Sequence, residues 1–327
     1  MEDLIRAMMQ WGARLYERRL ISGWGGNLSC RIGRERFLIT AQHAPLGFLS
    51  PDDFVVVDPQ GKPIQRNRQP SSETPLHLAV YSGTEGQAVI HAHPPQVLVF
   101  SLSQDSFIPL SFEEKYTLGK VSILPQDTPT VTQPDGVVAE LRLRPIVILR
   151  GHGTVATGKD LQEAFLFTDL LEEAVHCQLL RFETGATIAA PAQVPQGART
   201  QTCVVLFSRE HVAALVQGAN ADAEFRKQGS ESNLTTSLTI ALEDDGARWT
   251  MEFVAGEIVG FTPEGEGEFV ISGKREWWKA IFQDRLDPFQ ATQQGKLVLA
   301  RGELWKLSRW FKPFQRAFTL WQTISVQ

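Results

Sequence analysis

The sequence predicts a layered α/β half followed by a half in which helices cover an antiparallel sheet. Three observations predict this. The chain has 327 residues, which at roughly 150 residues per domain amounts to about two domains, each long enough to bury a core. Helical and strand patterns alternate along the first half. Composition then changes near residue 190: six of the seven histidines precede that point and six of the eight tryptophans follow it. The stretch Ala190-Pro191-Ala192-Gln193-Val194-Pro195-Gln196-Gly197-Ala198, with two prolines and a glycine, reads as a linker. The expected domains are residues 1–190 and 205–327, joined by a linker at 191–204.

The first half opens with a helix over Leu4–Leu20, where apolar residues recur near helical spacing. The turn Gly23-Trp24-Gly25-Gly26-Asn27 follows and leads into a strand. Further short strands are expected at Phe37–Thr40 and Phe54–Val57. Ser71-Ser72-Glu73-Thr74-Pro75 opens a helix running to about Tyr81, with Ser72 as N-cap and Pro75 tolerated in the first turn. Ala88–His93 and Pro145–Leu149 read as strands, and Lys159–Phe182 as a long amphipathic helix. In the second half a helix is expected over Arg209–Lys227, then strands at Ser237–Leu242, Trp249–Phe253 and Glu268–Ile271. A helix at Lys274–Phe282, a strand at Gly295–Ala300 and an aromatic helical tail complete the order.

A hydrophobic fraction of 43% and a charged fraction of 21% exclude a disordered chain, a collagen-like repeat and a coiled-coil rod. The net charge of −5, from 32 basic and 37 acidic residues, argues against nucleic acid as a partner, because phosphate binding wants a basic excess. Cys30, Cys177 and Cys203 stand alone. That argues against a disulfide framework or a cysteine zinc site and fits a reducing compartment. Met1-Glu2-Asp3 is acidic where a signal peptide is basic, and no uncharged apolar run reaches the ~18 residues of a membrane span. A cytoplasmic protein is expected.

The chemistry concentrates in histidines. His91-Ala92-His93 ends an apolar strand, and residues two apart on a strand share a face. His152 lies between Gly151 and Gly153, just after the strand Ile146-Val147-Ile148-Leu149, and the glycines let the backbone come close to a ligand. Three imidazoles with no cysteine leave a fourth metal position open, as a catalytic zinc needs. An isolated His-X-His pair is equally a pair of hydrogen-bonded core residues; its coincidence with His152 and with an acid at a helix start points to a divalent metal. That acid is Glu73, expected as general acid/base, although alone it is also an ordinary first-turn acid worth ~0.3–1 kcal/mol to the helix dipole. His77, one turn later, reads as a structural neighbour in contact with Glu73 rather than a metal ligand. Backbone N–H groups of the turn Gly25-Gly26-Asn27 and the hydroxyls of Ser71 and Ser72 can hold a phosphate.

These residues resemble the class II aldolase/adducin family. The matching strings are Gly25-Gly26-Asn27-Leu28-Ser29, Ser71-Ser72-Glu73-Thr74-Pro75-Leu76-His77, His91-Ala92-His93-Pro94 and the run from Leu149 to Phe165, in family order over residues 1 to about 190. The resemblance implies a three-layer α/β domain with a mostly antiparallel central sheet. It implies zinc, or another divalent metal, on His91, His93 and His152, with Glu73 as acid/base able to touch the metal when no substrate is bound. Gly26, Asn27, Ser71 and Ser72 take phosphate-binding places, and a cyclic homotetramer with active sites at its interfaces is implied. Where the family often carries Thr-Pro-Ser/Thr-Gly, this chain has Thr40-Ala41-Gln42-His43. Either His43 becomes a cationic contact to the phosphate, or the substrate carries a carboxylate or no anion there.

Residues 205 to 316 resemble a sterol-carrier-protein domain, on Leu286-Asp287-Pro288-Phe289-Gln290-Ala291, the following Gln294 to Leu299, and the upstream run Ser237 to Phe261. This implies an α+β fold with a five-stranded sheet around an apolar tunnel for a fatty acyl or sterol-like ligand. In the tail, Leu304, Leu307, Trp310, Phe311, Phe314, Phe318 and Trp321 recur at helical spacing with Lys306, Arg309, Lys312 and Arg316 between them. A helix packing its apolar face on the core is expected, with a membrane-surface helix or a lid as alternatives, and Pro313 should kink or interrupt it.

The expected function is that of a metal-dependent aldolase-type lyase cleaving a hydroxy-ketone, sugar-phosphate-like substrate through a metal-stabilised enediolate, fused to an apolar-ligand module. Glu at position 73, where an epimerase resemblance leads to Asp, leans toward an aldolase. Dehydration stays open through Glu113 and Glu114, otherwise a solvated acidic pair in a loop. A non-catalytic apolar-ligand carrier is the remaining reading.

Overall fold

In the computed structural model, residues 1–64, 68–186 and 204–326 are described. The chain divides into two compact units, Met1–Thr187 and Ile188–Gln327. The linker expected at 191–204 lies outside the described residues except for Val204, which pairs with Val326 of the second unit.

The first unit runs α1 (Glu2–Glu17), β1 (Asn27–Arg31), β2 (Phe37–Thr40), β3 (Phe54–Val57), α2 (Thr74–Gly83), β4 (Ala88–Ala92), α3 (Pro95–Ser101), β5 (Ser106–Phe107), α4 (Phe112–Leu118), β6 (Val121–Leu124), α5 (Asp135–Leu143), β7 (Ile146–Leu149), β8 (Gly153–Gly158) and α6 (Leu161–Thr184). Its eight-stranded sheet has the order β3-β2-β1-β4-β8-β7-β6-β5. Every pairing is antiparallel except β6 with β7. The central strands β4, β7 and β8 are buried at every residue, the pattern of strands covered on both faces. Helix α6 lies along β4 and β8 and packs with α1, α3 and α4, whereas α5 packs on β6, β7 and β8 with α2 beside it. Asp160 caps α6 by accepting the Glu163 N–H at 2.8 Å, and Gly185 ends it at φ +65°.

Ser72 does not cap α2. The chain winds one residue further, so that Glu73 holds the cap position. Ser71 closes this turn: its hydroxyl accepts the Glu73 N–H at 3.2 Å and its carbonyl accepts the Thr74 hydroxyl at 2.6 Å. The Glu73 side chain makes no cap bond and is left for other work. The acidic pair is not in a loop either: Glu113 and Glu114 open α4, where Ser111 and Glu114 form a capping box.

The second unit runs α7 (Arg209–Ala221), α8 (Ala223–Glu231), β9 (Thr236–Leu242), β10 (Arg248–Val254), β11 (Glu257–Thr262), β12 (Phe269–Gly273), α9 (Arg275–Phe282), α10 (Pro288–Gln293), β13 (Leu297–Arg301), α11 (Leu304–Leu307) and α12 (Phe311–Trp321). Its five strands take the order β11-β10-β9-β12-β13. The sheet is mixed, not antiparallel: after the β9–β10–β11 meander the chain returns to lay β12 parallel to β9. The expected single helix over 209–227 breaks at Asp222, which caps α8 through the Phe225 N–H at 2.7 Å and takes the Arg316 guanidinium at 3.0 and 2.6 Å.

Pro313 does not interrupt the tail helix. It falls in the first turn of α12, where its missing N–H would have had no partner, and the break comes upstream at Ser308–Trp310. Trp310, Phe314, Phe318 and Trp321 are buried, while Leu304 and Phe311 stay out. Among the described residues no helix is long and apolar enough to cross a membrane.

Candidate metal centre

Strand pairing assembles the site. β4 pairs antiparallel with β8, placing Ala92 opposite Thr154 and His91 opposite Val155. His91 and His93 at the end of β4 therefore meet His152, which sits in the turn between β7 and β8. The ring centroids are 4.7 Å apart for His91–His93, 4.7 Å for His91–His152 and 5.1 Å for His93–His152. One nitrogen from each ring lies within 4.8 Å of the others, and the Nε2 atoms of His91 and His93 face each other at 2.9 Å.

The approach needs glycine. A Cβ on Gly153 would stand 2.2 Å from the Ala92 carbonyl oxygen and 2.8 Å from His93 Cδ2, and one on Gly25 would stand 2.7 Å from His93 Nδ1. No side chain fits at either place without displacing the ring or the strand.

The electrostatics favour cation binding. His91 is 1% exposed, and its Nδ1–H donates to the Thr154 carbonyl at 2.9 Å, which leaves Nε2 with its lone pair. Burial, then the neighbouring His93 and His152, push the His91 pKa well below the usual imidazole value. Burial and His152 lower that of His93 to about 4 against the opposing pull of Glu73. Burial lowers His152 likewise, and its Nδ1 is buried with no hydrogen-bond partner. Three neutral rings with an orphaned buried nitrogen are the donor set that zinc accepts with a position left open.

Glu73, 4% exposed, places Oε2 at 3.2 Å from His91 Nε2. Its Oε2 accepts from Asn27 Nδ2 at 3.4 Å and its Oε1 from the Val131 N–H at 3.3 Å. The direct side-chain contact of His77 with Glu73 that their spacing suggests is replaced by a mediated one. His77 is buried behind Asn27, whose Oδ1 meets His77 Nε2. Burial lowers the His77 pKa to about 3.

The other expected residues divide. Gly26, at φ +80°, and Asn27 border the trio through the pairing of Asn27 with His91. The Asn27 side chain is committed to His77 and Glu73. Ser71 is buried, its hydroxyl engaged with the Glu73 N–H, and Ser72 is exposed. His43 is exposed at φ +60° in the turn after β2. That turn lies against the segment leading to Ser71, through Gln42 N–H to Gln69 O and Ser71 N–H to Thr40 O, but the His43 ring makes no contact with the trio. Glu113 and Glu114 are not brought to it either: Glu114 accepts the Ser111 N–H at 3.1 Å and Glu113 is exposed. Sequence reasoning missed Gly25 as a packing partner of His93, for which the doubled glycine was the available signal. It also missed the Val131 N–H, which lies in a stretch of prolines and threonines that carries no signal.

Comparison with known proteins finds relatives of the first unit. A 3-oxo-tetronate 4-phosphate decarboxylase of Haemophilus influenzae is 33% identical over 177 residues, covering 51% of this chain and 82% of that protein. A methylthioribulose-1-phosphate dehydratase of Gluconobacter oxydans is 30% identical over 198 residues, covering 55% and 93%. The crystal structure of L-fuculose-1-phosphate aldolase from Thermus thermophilus superposes with a TM-score of 0.52 at 32% identity, covering 58% of this chain and 100% of that one. The family described as Class II Aldolase and Adducin N-terminal domain matches residues 6–179, more than half of the sequence, and the chain belongs to that family.

Proposed function

We propose that the first unit is a divalent-metal-dependent lyase that cleaves a carbon–carbon bond in a hydroxy-ketone sugar phosphate. The observation that carries this is the convergence of three neutral imidazoles with one buried carboxylate 3.2 Å from the nearest ring nitrogen. His91, His93 and His152 would hold the cation, zinc by the all-nitrogen donor set. A cation bound there supplies Lewis-acid stabilisation of negative charge on a substrate oxygen, worth several kcal/mol. Glu73 takes or returns a proton at the substrate hydroxyl or the adjacent carbon. The Asn27 amide and the Val131 N–H hold its two oxygens apart, and its burial keeps bulk water from competing for that proton. Gly26, Asn27, Ser71 and Ser72 border the place of the substrate's anionic group, with His43 at the rim. The aldolase and the decarboxylase among the relatives both break carbon–carbon bonds by name, which favours that chemistry. Dehydration through Glu113 or Glu114 has less support, because Glu114 is spent on its helix cap.

The reading extends to the rest of the chain. Two helix groups on a sheet buried on both faces support a three-layer arrangement. The five-stranded sheet of the second unit, with its aromatic interior, supports a sterol-carrier-like module for an apolar ligand, joined through a linker at 191–204. A homotetramer in the cytoplasm belongs to the same reading. The deciding experiment combines metal analysis of the purified chain with a screen of hydroxy-ketone phosphates and their unphosphorylated analogues for aldehyde release. One cation per chain with aldehyde release from a phosphate supports the reading. No stoichiometric cation after zinc repletion, or no release from any of them, counts against it. Mass spectrometry of an organic extract tests the second module.

A further inference from the structure

Behind Glu73 runs a line of buried polar groups, from Asn27 through His77 and Ser29 to Tyr81. Tyr81 Oη lies 2.7 Å from Ser29 Oγ, and Ser29 Oγ lies 2.6 Å from His77 Nδ1. His77 Nε2 meets Asn27 Oδ1, and Asn27 Nδ2 reaches Glu73 Oε2 at 3.4 Å. All five side chains are buried. They come from β1 and from α2 with its cap, so two elements fix the whole line.

Donor and acceptor chemistry gives the line one direction. An ionised carboxylate only accepts hydrogen bonds, so the Asn27 amide must turn its NH2 to Glu73 and its oxygen to His77. That oxygen only accepts, so His77 carries its proton on Nε2. Nδ1 is then bare and accepts from the Ser29 hydroxyl, whose oxygen in turn accepts from the Tyr81 phenol. Turning the amide over would set two oxygens against each other at Glu73 and reverse every bond behind it. Burial also keeps His77 uncharged, since its pKa falls to about 3, and keeps the phenol protonated.

We propose that His77, held as the Nε2–H tautomer by Ser29 and Tyr81, is a positioning residue that acts through Asn27 to aim the Glu73 carboxylate at the histidine trio. This rests on the reading of Glu73 and the trio as the working site. A buried amide cannot rotate freely while both its ends are bonded. Without the His77 donor the Asn27 oxygen loses its anchor, the amide is free to swing, and Glu73 loses the fixed donor that sets its direction.

Two measurements on the full chain test this. In metal-free protein labelled with 15N-histidine, long-range ring correlations report which nitrogen carries the proton, and the signals absent from His77→Gln assign His77. The expected result is a neutral ring protonated on Nε2. A ring protonated on Nδ1, or on both nitrogens, overturns the proposal whether or not the protein binds metal. The second measurement is zinc affinity by competition with a chelating dye. His77→Leu should weaken zinc about tenfold, the usual scale for partners behind metal-site residues, and His77→Gln, which keeps a donor toward Asn27, should recover most of it. In a Glu73→Gln background His77→Leu should cost less than about twofold, because the carboxylate it aims is gone. An equal loss in both backgrounds makes His77 a purely structural residue and overturns the proposal. Absence of zinc binding in the unaltered chain defeats the metal reading instead, and the tautomer then decides the relay alone.

Discussion

Gly25 presses its backbone against the ring of His93: a Cβ there would lie 2.7 Å from His93 Nδ1, closer than real Cβ contacts come. The glycine turn before β1 thus forms one wall of the histidine site. Gly25→Ala should push the His93 ring away from His91 and His152 while leaving the sheet intact, at about 1–3 kcal/mol of overpacking. The expected outcome is a folded protein with zinc weakened at least about tenfold, read by dye competition and far-ultraviolet circular dichroism. Zinc affinity equal to that of the unaltered chain would show that the wall gives way and the contact is idle.

His93→Ala removes a donor from the trio and should abolish stoichiometric metal. Two imidazoles remain, too few for a closed or catalytic site. Elemental analysis after zinc repletion and desalting should give about one cation per chain for the unaltered protein and a small fraction for the variant. Zinc in excess should also raise the melting temperature of the unaltered chain alone, since a ligand held 100-fold above its Kd adds about 2.7 kcal/mol. A variant that keeps its cation removes His93 from the ligand set.

The convergence of the histidines was legible because it needs only short-range geometry. A strand of period two puts His91 and His93 on one face, and a glycine-flanked His152 after a neighbouring strand has few other places to go. Pairing direction was less legible. The parallel return of β12 beside β9 depends on where the chain goes after β11, and the Glu257–Thr262 strand is so exposed that only Ile258 is fully buried, which removes the alternation that marks a strand. At the helix break, the Asp222 carboxylate that caps α8 also takes Arg316, 94 positions away. The hydrogen-bond partners that Asn27 and Ser71 take were not legible for the same reason. Each side chain has several possible partners, and the fold chooses among them through β1–β4 pairing and the winding of one turn at Glu73.

Stability should depend on pH through His211 in the second unit. The ring is buried, its Nδ1 accepts the Phe207 N–H at 3.2 Å, and burial lowers its pKa to about 4. The unfolded ring titrates near 6.5. Between those values the unfolded chain holds the extra proton, so stability falls as pH drops from about 6.5 to about 4, by up to about 3 kcal/mol. Above 6.5 the ring contributes no slope, and below 4 the folded ring protonates too. His211→Asn keeps an acceptor for the Phe207 N–H and cannot titrate. Urea unfolding of metal-free protein, followed by tryptophan fluorescence that reports mainly on the second unit, should show a flatter pH dependence in the variant. Parallel profiles would mean that the ring is not neutral in the folded unit.

Glu73→Gln separates chemistry from binding. The amide keeps the size of the carboxylate and an acceptor for the Val131 N–H, but it cannot take a proton. The variant should fold, retain one cation per chain at saturating zinc, and bind substrate within a few-fold of the original KM. Its kcat should fall by about 10²–10⁴, the range for removing a positioned acid/base. A large rise in KM alongside the fall in kcat would place Glu73 in substrate binding as well. Turnover equal to that of the unaltered chain would remove Glu73 from the reaction. The proton would then have to move through another group within reach of the trio, and among the described residues no other carboxylate contacts any of its three rings.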